Sequence, residues 1–78
     1  MAERPGRPQL EYIRVAEALA ARIAAGTIPP GSRLPPEKAL ADEFGVAYGT
    51  VRRAMDVLRE QGLVVTLWGK GTFARDEE

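Results

Sequence analysis

The side chains with chemistry to offer stand close together. Tyr48, Thr50, Arg52 and Arg53 all fall between Gly45 and Gly62. What they can do is donate hydrogen bonds and neutralise negative charge. Val51, Ala54, Met55 and Leu58 recur at i, i+3, i+4 and i+7, the spacing of one apolar stripe on a helix. At about 100° per residue, Tyr48, Gly49, Arg52, Arg53 and Asp56 lie on the far side of that stripe. The spacing predicts a helix over 47–61, with a buried back and a basic, hydrogen-bonding front in its first half. Gly62 stands where a left-handed C-cap is wanted. Short and basic residues near a helix N-terminus suit the DNA major groove, which admits one helix. An ordinary amphipathic surface helix would carry the same stripe, so the flanking elements must decide.

Composition narrows the function. The chain has 78 residues, enough for one small domain with a modest core. It has no cysteine and no histidine, so it lacks thiolate chemistry, the commonest general base and the commonest metal ligand. No carboxylate pair with a catalytic spacing stands out either. No enzyme activity, metal or cofactor is expected. A membrane span is not expected, since no long apolar run exists, and the N-terminus lacks the apolar core of a signal peptide. The expected location is cytoplasmic. Eleven basic and eleven acidic side chains cancel formally, but their distribution is uneven. Between Tyr48 and Arg75, Arg52, Arg53, Arg59, Lys70 and Arg75 face only Asp56 and Glu60, and the acidic tail 76–78 restores the balance.

The elements around the basic helix follow from local signals. Residues 1–9 read as a disordered arm, rich in proline and poor in apolar residues. Gly6-Arg7-Pro8 matches the core of AT-hook peptides over three residues, but a solvated tail is the simpler reading. A first helix is predicted over Leu10–Ala25, with Ile13, Ala16, Ala20 and Ile23 as its stripe, Leu19 beside it and Gly26 as its stop. The four prolines and the glycine of Thr27–Pro36 forbid helix. That segment reads as a loop pinned by Ile28 and Leu34, with room for a single strand bridge at Arg33-Leu34. A short second helix, Glu37–Phe44, turns Leu40, Ala41 and Phe44 inward. A glycine-bearing turn at Gly45 leads into the basic helix, which makes a helix-turn-helix. Leu63–Trp68 is β-branched and aromatic, Gly69-Lys70-Gly71 is a turn, and Thr72–Arg75 returns as a second strand. The fold class is α+β and mainly helical: a winged helix-turn-helix over 10–75, three helices plus a two-stranded β wing. The basic wing tip, 67–72, can reach a phosphate or the minor groove.

These residues in this order resemble the N-terminal DNA-binding domain of the GntR family of bacterial transcription regulators. The signs run through Tyr12-Ile13, Ala16, Leu19, Ile23, Gly26, Ile28-Pro29-Pro30-Gly31 and Leu34-Pro35-Pro36-Glu37. They continue through Leu40-Ala41, Phe44-Gly45-Val46, Thr50-Val51-Arg52, Ala54, Leu58, Gly62-Leu63-Val64 and Gly69-Lys70-Gly71-Thr72-Phe73. The resemblance implies a winged helix that binds a pseudo-palindromic operator in double-stranded DNA, as a homodimer on DNA and as a repressor. Carried over by position, it implies contacts from Lys38, Tyr48, Gly49, Thr50 and Arg52, with Gly69 and Lys70 at the wing. Arg53 joins them from the basic front. Lys38 and Lys70 would neutralise phosphates. Arg52 has the rigid fork that pairs with a guanine edge or clamps a phosphate. Thr50 brings a hydroxyl to a helix N-terminus, where amides also favour a phosphate. Bland alternatives are solvated charge for the lysines, an Asp56 pair for Arg52, a helix cap for Thr50, and packing against Lys38 or the loop for Tyr48.

The departures from the family are specific. Pro36 stands where relatives often have serine and forgoes an N-cap hydroxyl worth about 1 kcal/mol. Ala47-Tyr48 replaces a frequent Ser-Arg. Leu67-Trp68 stands where wings are usually polar, which suggests either an apolar neighbour or an outward-facing pair. Family members continue into a C-terminal effector-binding and dimerising domain. Nothing follows Glu78 here, as expected for an excised domain or for a regulator reduced to its DNA-binding part, and an effector ligand is expected only with such a domain. The competing function is a winged helix used as a protein-interaction module, with Leu67, Trp68 and the proline-rich loop as its surface. The intact basic front and the Gly-Lys-Gly wing favour DNA.

Overall fold

The computed structural model describes the backbone from Pro8 and the side chains from Glu11, in both cases to Asp76. Three helices come first: α1 (Pro8–Ala25), α2 (Glu37–Phe44) and α3 (Tyr48–Glu60). A hairpin of β1 (Val64–Leu67) and β2 (Gly71–Ala74) follows. The architecture is the expected winged helix-turn-helix. α1 starts at Pro8, two residues ahead of the expected Leu10. A proline is tolerated at a first helical position because the amide there has no partner within the helix. The expected arm thus gives up residues 8 and 9, and its remainder, with the AT-hook match before Pro8, lies outside the described residues. Of the expected acidic tail, only Asp76 is described.

α3 is positioned by its back. Val51, Ala54, Met55 and Leu58 are all fully buried, as the stripe requires. They meet Val15, Ala16 and Leu19 of α1 and Leu40 and Ala41 of α2 in one core. Each large aliphatic side chain buried there contributes about 1.5–3 kcal/mol. The expected stripe of α1 needs correction. Val15, Ala16 and Leu19 are its buried residues, with Tyr12, Ala20 and Ile23 half-buried beside them. Ile13 points outward and is 41% exposed. Residues 12, 15, 16, 19 and 23 also satisfy helical spacing, and the docking of α1 along α3 selects that phase over the one through Ile13.

The turn between α2 and α3 is set by Gly45. Its φ of 68° is left-handed, which costs an L side chain but not glycine. The N–H groups of Gly45 and Val46 both return to the carbonyl of Ala41, which closes α2 in one step. At the other end of α3, Gly62 N–H bonds to Arg59 O and Leu63 N–H to Leu58 O, the paired bonds of a Schellman cap. The chain leaves this cap aimed into β1.

β1 and β2 pair antiparallel, with Val64 opposite Ala74 and Leu67 opposite Gly71. β1 is shorter than the expected Leu63–Trp68, so Trp68 belongs to the turn, and β2 keeps its expected length but starts one residue earlier, at Gly71. The proline-rich loop lies along β2 as an irregular third strand. Leu34 N–H bonds to Thr72 O at 2.8 Å, Ala74 N–H to Ser32 O at 2.8 Å, and Arg33 bridges Phe73. This is the expected single bridge, and Ile28 and Leu34 pin the loop to the core as buried residues. The wing is therefore fixed at its base on both sides, by α3 and by the loop.

Candidate nucleic-acid interface

With its back buried, α3 turns Tyr48, Gly49 and Arg52 outward from its first two turns. Tyr48 is 50% exposed. A Cβ on Gly49 would meet nothing within 4 Å, so the backbone there is open to a close approach. Thr50 is half-buried beside them. It is not the helix cap: Ala47 holds that position and supplies no side-chain oxygen. Thr50 N–H turns back to Ala47 O at 3.0 Å, which leaves the amides of Tyr48 and Gly49, at the positive end of the helix dipole, to serve an anion.

Arg52 is held at the front by two weak contacts. Its Nε lies 4.0 Å from Glu37 Oε1, and its guanidinium sits 6.0 Å from the centre of the Tyr48 ring. Its side chain remains 66% exposed. An exposed ion pair at that distance adds little stability, so Arg52 can exchange it for a stronger acceptor at small cost. The Asp56 partner considered for Arg52 is engaged elsewhere, because Arg59 Nη2 donates to Asp56 Oδ1 at 2.5 Å. Arg53 departs from the others. Its guanidinium lies 4.5 Å from the Tyr12 ring centre, a cation–π contact directed towards α1. The front brings Tyr48, Gly49 and Arg52 together, and leaves Arg53 on a neighbouring face.

The wing tip forms the second part of the surface. Lys70 N–H returns to Leu67 O at 2.9 Å, and Gly69 takes a φ of 79°, the third position of a type II turn. Trp68 and Leu67 project outward, 92% and 48% exposed, so the apolar neighbour considered for them is not supplied by the described residues. Between wing and helices runs an open cleft of about 420 Å³, whose walls include Lys38, Tyr48, Trp68, Gly69 and Lys70. The expected lysines and the start of α3 thus share one concave surface.

Three features escape a reading of the sequence. Arg33, from the proline-rich loop, lines the same cleft and packs on the wing base: a Cβ on Gly71 would come within 2.6 Å of Arg33 Nε. A lone arginine among prolines carries no signal of that placement. Arg59, on α3, also donates from Nη1 to Thr66 Oγ1 at 2.6 Å, and Thr66 Oγ1 lies 3.2 Å from Thr72 Oγ1 across the hairpin. This chain of contacts runs from Asp56 through Arg59 to both strands and ties the wing to α3. Away from the cleft, Arg22 of α1 pairs with Glu43 of α2 and stacks over Phe44, 5.2 Å from the ring centre. The hydrogen bond from Arg22 holds the Glu43 carboxyl below the usual carboxylate range, against the opposing effect of desolvation. The same bond raises the Arg22 guanidinium.

Known proteins are similar in sequence and fold. The repressor MngR of the mannosyl-D-glycerate transport/metabolism system of Escherichia coli (strain K12) is 41% identical over 66 residues, which cover 85% of this chain and 28% of that protein. The HTH-type transcriptional repressor NagR of Bacillus subtilis (strain 168) is 39% identical over 62 residues, covering 80% of this chain and 26% of that protein. The chain thus spans about a quarter of the length of these relatives. Among solved structures, AraR(DBD) in complex with operator ORR3 superposes with a TM-score of 0.78 at 38% identity, over 82% of this chain and 77% of that one. The profile of the bacterial regulatory proteins of the gntR family matches residues 11–74. That match takes in α2, α3, both strands and all but the first turn of α1, and the chain belongs to the gntR family of bacterial regulatory proteins.

Proposed function

We propose that this chain is the DNA-reading part of a transcription regulator and acts as a repressor. α3 enters the major groove of a half-site, and the wing lies at the backbone or in the adjacent minor groove. The observation that carries this reading is the continuity of the cleft, which joins Lys38, Tyr48 and the wing lysine Lys70 beside the exposed fork of Arg52. The likeness to an AraR domain crystallised with its operator supports it. Tyr48, Gly49, Thr50 and Arg52 then face base edges and the nearest phosphates, while Lys38, Gly69 and Lys70 serve the backbone. Arg53 serves a phosphate on the α1 side rather than a base. A single module contacts few phosphates, so two copies meet on a two-fold symmetric site. No helix among the described residues is long and apolar enough to cross a membrane, and action at the bacterial nucleoid follows from the DNA reading. An effector enters only through a further domain of a longer protein.

One observation favours a protein-contact reading, the exposed Leu67-Trp68 pair. A single titration separates the two. Labelled random-sequence duplex is titrated with the chain at several salt concentrations. DNA binding predicts retention that weakens steeply as salt rises, from counterion release. Absence of binding at low salt would remove the DNA reading and leave the protein-contact one.

A further inference from the structure

Trp68 is the most exposed large apolar side chain described, and nothing in the fold uses it. At 92% exposure its indole makes almost no intramolecular contact. It occupies a turn, where small or polar residues ordinarily stand. Leu67, 48% exposed, lies directly before it. Gly69 follows, with open space around its Cα, and Lys70 completes the turn. The tip is thus an apolar wedge with a cation beside it, carried on a strand pair braced by Arg59 and by the Arg33 loop.

Its surroundings define what it fits. Trp68 lines the same cleft as Lys38 and Tyr48, so it faces whatever α3 faces. An indole has no charge for a phosphate and a single N–H donor. Its large planar surface asks for another planar surface, and a base face supplies one. Proteins that bind the minor groove use apolar wedges to part base steps, and pyrimidine–purine steps part most easily. We propose that Trp68 is a base-stacking residue. Its indole enters the minor groove beside the half-site held by α3 and wedges into a flexible TA or CA step, with Leu67 behind it and Lys70 on the flanking phosphate. The proposal rests on the DNA-binding reading above and adds a second point of sequence preference, outside the reach of α3.

Trp68 is the only tryptophan in the chain, so intrinsic emission reports on this residue alone. The test follows tryptophan emission and the polarisation of labelled duplex in one titration. The duplexes carry either a TA or a GC step beside the half-site. The expected result is quenching of the emission in step with the polarisation, together with a DNA bend that the Trp68→Ala variant lacks. Trp68→Ala should weaken binding to the TA duplex by about 5- to 150-fold and binding to the GC duplex less, with Trp68→Phe in between. The exposure of the indole leaves the fold intact without it, which an unchanged circular dichroism spectrum checks.

Rising polarisation with unchanged tryptophan emission would overturn the wedge and leave DNA binding standing. Equal losses on both duplexes for Trp68→Ala would overturn the step preference. No polarisation change on any duplex would remove the DNA reading and the wedge with it. A second copy offers a competing seat, the apolar groove between α1 and α3 lined by Ile13, Ala20 and Val57. If the free chain sediments as a dimer that Trp68→Ala dissolves, the indole is a self-contact and the proposal is wrong.

Discussion

Arg52 and Arg53 are adjacent in sequence and differ in what surrounds them. Arg52 extends from the front of α3 with a loose hold on Glu37, whereas Arg53 is stacked on Tyr12. Arg52→Ala should cost about 1–3 kcal/mol on a specific duplex if the fork reads a base. It should cost much less on a scrambled one. Arg53→Ala should weaken both duplexes alike, since a phosphate contact carries no sequence information. It should also lower stability by about 0.5–1 kcal/mol through loss of the ring contact. Titrations of both variants on both duplexes, with a thermal melt of each, check this. Equal losses on both duplexes for Arg52→Ala would contradict a base-reading role. Tyr48 is the sharper case, because the family resemblance implies an arginine at that position. Its hydroxyl can bond a base edge or a phosphate and its ring can cover a thymine methyl, but it cannot make two parallel bonds to guanine. Half exposed and beside the open backbone of Gly49, it should tolerate or favour an A·T pair at its position. Tyr48→Arg should move that preference towards G·C. Unchanged ranking of duplexes varied one position at a time would exclude Tyr48 from the readout.

At the scale of the elements, the angle between helices matters more than any single contact. The Gly45 turn sets the path from α2 to α3, and the Arg22–Glu43 pair clamps α1 to α2 beside it. Glu43 is ionised more readily in the folded chain than in an unfolded one. Its pair therefore stabilises the fold above about pH 4.3, the ordinary carboxylate value, and that contribution is lost as pH falls through the lowered folded value. Both partners are exposed to water, so the effect is small. Glu43→Gln should melt slightly below the wild type at neutral pH, and the two melting curves should converge in acid. A gap that persists unchanged in acid would assign the difference to packing rather than charge. The elements were legible in the sequence to unequal degrees. α3 was plain because Val51, Ala54, Met55 and Leu58 alternate with charged residues, so only one face can be buried. α1 was ambiguous because Tyr12, Ile13, Val15, Ala16, Leu19 and Ala20 fit more than one stripe, and tertiary docking chose among them. The loop's pairing with β2 was partly visible at Arg33-Leu34. The Arg33 guanidinium on the wing base and the Arg59–Thr66 tie were not, since neither follows from spacing along one element.

Over the whole molecule, zero net charge does not argue against a polyanionic partner. The cleft gathers Arg33, Lys38 and Lys70 against a single lining carboxylate, Glu37, while the pairs Glu43–Arg22 and Asp56–Arg59 cancel charge one for one. The salt dependence of DNA binding should therefore follow the few phosphates this surface touches, and Lys38→Ala or Lys70→Ala should each lower the slope by about 1. The free chain should sediment as a monomer at micromolar concentration and pair on DNA, where two half-sites recover the affinity one module lacks. The proposed function depends on the front of α3 reading a half-site. The most direct test is to select bound duplexes from a random pool and titrate the enriched sequence against a scrambled one. The expected result is two inverted half-sites and a preference on the order of a thousandfold, largely lost in Arg52→Ala. A pool that shows no enrichment, or an enriched sequence bound no better than its scramble, would contradict it.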